Sequence, residues 1–449
     1  MNPVKKRQIR REFLRYVTLN ILGQIAYSCY TLADTFFVSA DCGTNGLTSL
    51  NLAFPVFCLV NGIGLMTGIG GSTRYSILKS CGNKEAANQA FTHSAFITLF
   101  FSVLFFTAGV FGSETLTSWL GADDSVFSMT HTYLKVMLLF SPAFLINHLL
   151  LCFVRNDGSP SLSAAAMITG SISNIILDYI FIFPMKMGIF GAIFATGLSP
   201  VISTVILSSW LFTRKNQFHL VKPVRSLYMI SQISATGIPS LLTETASGIV
   251  MFLFNVLILR LEGNTGVAAF GIVSVVSLVN AAIYNGLSQG IQPVISLHYG
   301  SGSKENSRES INLILAYALA AAFLLSGIIY SIIYLGASPI AAAFNSEQDP
   351  LLQILAVKGL RIYFTACPFI GFTIVITTLF TSTERPVPAQ ILSLCRSFLI
   401  LVPTAVLFSR LWHMTGVWAA YPGTECIVSI LGIIFMMLSS FISNRRQRT

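Results

Sequence analysis

Few side chains in this chain can do chemistry, and the informative ones lie where charge is costly. Asp34 (Leu32-Ala-Asp34-Thr-Phe-Phe), Asp178 (Asn174-Ile-Ile-Leu-Asp178), Glu244, Arg396 and Glu425 all interrupt apolar stretches. A charge at the centre of a bilayer costs about 2.5–3.5 kcal/mol on insertion scales, so such residues are functional candidates by default. Asn174 lies one helical turn before Asp178 and shares its face. Two carboxylates with an amide and a hydroxyl, from Asn174 and Thr196, are chemistry for holding a proton or Na+. Glu244 reads as a second protonatable site or as a contact for a cationic substrate. Arg396 and Glu425 reach comparable depth and read as an ion pair. Nothing suggests catalysis. His93, His131, His148, His219, His298 and His413 have no metal-ligand spacing; the cysteines contain no CxxC, and Cys29, Cys58, Cys152, Cys367, Cys395 and Cys426, within apolar runs, are expected to be buried and inert. Neither an enzyme nor a bound cofactor is expected, and no metal beyond Na+ at the four polar residues.

Long apolar elements must position these groups. Of the 449 residues, 54% are hydrophobic and only 10% charged, against about 25% charged in soluble domains. A polytopic all-α membrane protein is expected, with the lipid bilayer as its surroundings. A span needs roughly 20 mostly apolar residues. That criterion predicts twelve spans, at 13–38, 46–72, 90–111, 133–154, 162–183, 189–212, 234–259, 266–297, 311–335, 351–381, 388–408 and 414–441. The first span runs outward and carries Asp34 late. The fifth also runs outward and carries Asp178 late. The sixth runs inward with Thr196 one to two turns from its start. Asp34, Asn174, Asp178 and Thr196 therefore fall in one layer.

The net charge of +10 is no sign of nucleic acid, because the basic residues cluster between apolar runs. Lys5, Lys6, Arg7, Arg10, Arg11 and Arg15 precede the first span. Arg74, Lys79 and Lys84 follow the second and Arg155 the fourth. Arg214, Lys215, Lys222 and Arg225 follow the sixth. Lys304, Arg308, Arg385, Arg445, Arg446 and Arg448 continue the alternation, which predicts both termini in the cytoplasm. The first span has no clear cleavage site and is expected to stay. The longest basic connection divides the chain into 1–212, a linker at 213–233, and 234–449. Laying Gly43-Thr-Asn-Gly46 on Gly263-Asn-Thr-Gly266 also aligns Gly70 with Gly290, Gly82 with Gly302, and Lys84-Glu85 with Lys304-Glu305. Pro160 then falls near Pro386. Two six-helix repeats of one orientation, with a substrate path between them, are the plan of many secondary transporters.

Several stretches resemble the multidrug and toxic compound extrusion (MATE) family. They are Leu32–Ser39, Gly43–Pro55, Met66–Ser72, Gly82–Ala87, Arg155–Pro160, Asn174–Asp178, Met187–Thr196, and Glu384-Arg-Pro386 through Gly416–Ala420. The resemblance implies two six-helix lobes forming a V. It also implies efflux of organic cations and amphipathic drugs against H+ or Na+ entry across the bacterial inner membrane by a protein functional as a monomer. In the branch related to DNA-damage-inducible protein F, the cation site falls on Asp34, Asn174, Asp178 and Thr196. The chain departs from the family in three places. Arg385 rather than glycine precedes Pro386, no proline lies between Pro3 and Pro55, and the tenth span lacks an acidic residue. A flippase for lipid-linked saccharides is the nearest alternative and requires a strongly basic cavity. A membrane-embedded transferase would require His-, Asp- or metal-bearing motifs, which the sequence does not offer.

Overall fold

The computed structural model describes residues 3–301, 304–345 and 348–445, which are almost wholly helical, with no strand among them. Gly302, Arg446 and Arg448 lie outside the described residues.

The first helix, α1 (Pro3–Ser80), contains 78 residues. Unbroken, it would be roughly 115 Å long at 1.5 Å per residue, far beyond a bilayer core of about 30 Å. It breaks at Gly43 (φ 61°, ψ −148°), so it carries two spans. The 74-residue α8 (Leu227–Gly300) breaks the same way at Gly263 (φ 63°, ψ −151°). Only glycine adopts this backbone region readily. The second glycine of each motif has a separate role. A Cβ at Gly46 would come 2.4 Å from Cys42 Cβ, and one at Gly266 would come 2.6 Å from Glu262 Cβ. The paired motifs thus make the same tight break in both halves, as the aligned glycines predict.

Between these helices lie α2 (Lys84–Phe111), the short α3 (Ser113–Trp119), α4 (Phe127–Leu139), α5 (Ser141–Asn156), α6 (Pro160–Ile182) and α7 (Gly188–Ser208). After α8 come α9 (Lys304–Phe344), α10 (Pro350–Tyr363), α11 (Cys367–Ser382), α12 (Pro386–Leu394) and α13 (Leu401–Arg445). The fourth span is α4 and α5 together, bent by 47°. The tenth is α10 and α11, joined by a single 3-10 turn at Phe364–Ala366. Pro142 and Pro368 stand in the first turn of α5 and α11, where a missing N–H costs nothing. The last two spans comprise α12, a π-helical turn at Cys395–Leu399, and α13, which breaks at Trp412 and His413. The chain has the twelve-helix fold.

Several helices run past the predicted limits. The ninth, expected at 311–335, is Lys304–Phe344. Its N-terminal extension, 304–310, is polar, so an apolar window does not register it. The halves meet along a glycine seam. A Cβ at Gly70 would fall 2.0 Å from the Ile233 carbonyl oxygen, and one at Gly237 would fall 2.0 Å from that of Met66. In the equivalent place, a Cβ at Gly290 would come 2.7 Å from Val17 Cα. Small residues let the backbones touch, and Gly70 and Gly290 do matching work on opposite sides.

Candidate functional site

Asp178 and Asn174 on α6 are fully buried, and Thr196 on α7 and Asp34 on α1 are 4% and 7% exposed. Small residues bring α6 and α7 together. Ser199 Oγ donates to the Gly170 carbonyl at 2.8 Å, and a Cβ at Gly170 would come 3.3 Å from Ser203 Cβ. One turn further along this contact, Asn174 faces Thr196. With its amide nitrogen toward Asp178, Asn174 donates to Oδ2 at 3.0 Å, and its oxygen accepts from the Thr196 N–H at 3.2 Å. The reverse orientation would set an amide oxygen against a carboxylate oxygen.

Asp34 on α1 lies within electrostatic range of Asp178. Tyr30 and Tyr133 lie within the same range of both carboxylates. The structure thus packs Asn174, Asp178 and Thr196 together, sets Asp34 within electrostatic reach of them, and adds two tyrosines that the sequence did not single out. Tyr133 lies in a different span from the rest, and no local spacing marks it. One oxygen of each carboxylate, Asp34 Oδ1 and Asp178 Oδ1, is buried with no hydrogen-bond partner among the described residues. A buried acceptor left bare costs about 1–3 kcal/mol, more if charged. A proton or a small cation between the two acids would remove that cost.

Glu244 is not part of this group. It lies on α8, its Cβ 3.3 Å from where a Gly62 Cβ would stand. It lines a cavity between the halves together with Arg155 and Arg396. Arg396 sits in the π-helical turn and pairs with fully buried Glu425, as the sequence suggested. Such turns are frequent at functional sites.

The sequence reading of Arg155 as a loop charge requires correction. Arg155 belongs to α5 and is 1% exposed. Its Nη1 donates to Asn20 Oδ1 and Gln289 Oε1, each at 2.7 Å. A basic residue just after an apolar run looks the same in sequence whether it faces water or a polar crevice.

Around Arg155 the halves are bonded across the seam. Asn156 donates to Gln292 at 3.1 Å, and Gln292 donates to Thr73 at 2.9 Å. Arg74 grips both oxygens of Glu384 at 2.6 and 2.7 Å. Cys81 Sγ reaches the Gly300 carbonyl at 3.4 Å. All of these lie at the end of the molecule that carries the basic loops. Glu384 holds a left-handed backbone (φ 53°) two residues before Pro386, where the first repeat has Gly158 (φ 102°) two residues before Pro160. The missing family glycine at Arg385 thus leaves the turn intact, with Glu384 carrying the strain and forming the latch.

Just beyond, Asp157 accepts from Tyr75, Lys79, Trp210 and the Gln217 N–H at 2.6, 2.7, 2.9 and 3.0 Å. This fixes the start of the connection between the halves. Asn88 and Thr92 then accept from the backbone N–H groups of His219 and Val221.

The MatE family model matches this chain twice, over residues 20–180 and 239–407, in the same order as the glycine repeat. The FAD transporter of Shewanella oneidensis is 26% identical over 436 residues, covering 94% of this chain and 93% of the relative. The multidrug export protein MepA of Staphylococcus saprophyticus is 23% identical, covering 96% and 95%. Among solved structures, the outward-facing conformation of a multidrug resistance MATE family transporter aligns with a TM-score of 0.90 at 24% identity, over 97% of both chains. A MOP superfamily transporter from Pyrococcus furiosus, described as having reversed pocket polarity, aligns at 0.88 over 96% of both, also at 24% identity. Built of twelve spans in a repeated pattern and matched by the family model in both halves, the chain belongs to the MatE (MATE) family of membrane transporters.

Proposed function

We propose that this protein exports small organic molecules bearing a cationic group, in exchange for H+ or Na+, by alternating access. The observation that carries this reading is the buried pair Asp34 and Asp178, each with one carboxylate oxygen lacking a partner. Proton or Na+ entry satisfies those oxygens and changes how α1 packs on α6 and α7. The basic end faces the cytoplasm, by the positive-inside rule. The hydrogen-bonded seam then closes the cytoplasmic side, and ion occupancy biases the balance between this state and an inward-open one. The MepA relatives support export of drugs as the general activity. The lipid-linked saccharide alternative is disfavoured by the cavity, where Glu425 matches Arg396 and the lining carries the carboxylate of Glu244 as well as Arg155.

The test uses everted vesicles with an acid-inside gradient in nominally sodium-free buffer. Ethidium added to vesicles carrying the protein should dissipate the gradient. Asp34→Asn and Asp178→Asn at equal expression should abolish the response. If the wild type fails there, and again with a sodium gradient and a wider substrate panel, the export reading is wrong and the flippase takes its place.

A further inference from the structure

The central cavity has a chemistry that the ion site does not explain. Two unmatched charges of opposite sign face it. Arg155 is bonded only to neutral partners, the side chains of Asn20, Gln289 and Cys152, and its buried Nε has no partner among the described residues. Glu244 lies on the same cavity with no basic partner in any ion pair among the described residues. Arg396, the remaining charge in the wall, is neutralised by Glu425.

Most of the remaining lining residues carry a hydroxyl or an amide, including Ser240, Thr243, Asn285 and Thr377, although their methyls and stems leave the surface of the wall more apolar than polar. Leu65, Ile69 and Ile374 supply aliphatic surface, and among the described residues no aromatic or methionine side chain lines it. A cavity for flat hydrophobic cations would present aromatic faces or adaptable thioethers. A guanidinium suits a carboxylate or phosphate, and a lone carboxylate suits an ammonium. Polar groups left unpaired in such a wall penalise a ligand that cannot satisfy them.

We propose that the cavity's occupant is a small polar zwitterion of amino-acid or dipeptide size, its anionic group toward Arg155 and its ammonium toward Glu244. This rests on the export reading and narrows its substrate class.

The experiment is counterflow in proteoliposomes with no ion gradient, loaded with L-glutamine or glycyl-L-glutamine. Two controls each remove one charge, N-acetyl-glutamine the ammonium and glutamine amide the carboxylate. The zwitterions should exchange at least about tenfold faster than either control. Glu244→Gln should bring exchange of N-acetyl-glutamine level with that of glutamine, while leaving the purified protein's melting temperature near wild type. Exchange of the controls at the zwitterion rate, or no exchange of either zwitterion, overturns the proposal. Ethidium-driven gradient loss without zwitterion exchange would sink it while leaving the ion-coupling site standing. Zwitterion exchange with no gradient response to any substrate would do the reverse.

Discussion

At the scale of single residues, burial decides what each polar group does. Asn174 is fully buried and spends its amide on Asp178 and the Thr196 backbone. Replacing it by Ala strands one more carboxylate oxygen beside the two already unpartnered. Ethidium-driven gradient dissipation in Asn174→Ala should fall by about tenfold, equivalent to the roughly 1–1.5 kcal/mol of one hydrogen bond. Thr196→Val keeps the backbone N–H that Asn174 uses and should lose much less. An equal loss in both variants would show that the Thr196 hydroxyl binds the ion itself. These four residues were legible because a charge within an apolar run is rare and helical rise places it in depth. Tyr30 and Tyr133 were not, since tyrosines are common in spans and only packing selects these two. Arg155 was misread for the same reason, its neighbours Asn20 and Gln289 being remote in sequence.

At the scale of elements, the backbone breaks carry the fold. Gly43 and Gly263 share one conformation and turn each long helix into two spans. Gly43→Val or Gly263→Val forces a β-branched residue to positive φ, at about 1–3 kcal/mol. Each should lower the melting temperature in detergent by several degrees, and by similar amounts if the repeats are equivalent. Gly70→Val at the seam is more severe. Its Cβ would meet the Ile233 carbonyl at 2.0 Å, and rigid backbone cannot yield as a side chain can. Loss of folded yield is expected, measured by size-exclusion profile. The glycine motifs announced their breaks in the sequence. The break at Trp412 and His413 falls between the predicted spans 388–408 and 414–441. The π-turn at Cys395–Leu399 had no such local signal, and it holds Arg396, which pairs with Glu425.

At the scale of the whole molecule, two halves are held at one end by a polar seam. Arg74 and Glu384 form its most direct ion pair, each side chain 18% exposed. At that exposure the pair contributes modestly to stability, but it joins the two halves directly and so favours the arrangement seen here. Glu384→Gln should shift the population toward opening at the basic end. In a Cys81→Ala chain, labelling of a Thr73→Cys thiol, buried at the seam, by a membrane-impermeant maleimide in everted vesicles should then accelerate severalfold over the same chain with Glu384 intact. Unchanged labelling would show that Arg155, Asn156 and Gln292 hold the seam without it. Joining the halves covalently is the complementary test. Arg74→Cys with Glu384→Cys, in a Cys81→Ala chain, places one thiol on each side of the seam, where a short cleavable bifunctional thiol reagent can span the gap the ion pair fills. Crosslinking should stop transport and cleavage of the linker should restore it.

The membrane class, the number of spans and the repeat were determined by the sequence alone. Each follows from local quantities: runs of apolar residues, alternation of basic loops, and glycines at equivalent places. Tertiary structure alone decided the rest. Glu244 stands apart from the ion site, Arg155 faces a cavity rather than water, and Glu384 latches onto Arg74, which lies 310 positions away in the chain. Those outcomes depend on which faces of distant helices meet, and small residues at their crossings set that meeting, not the identity of the charged groups themselves.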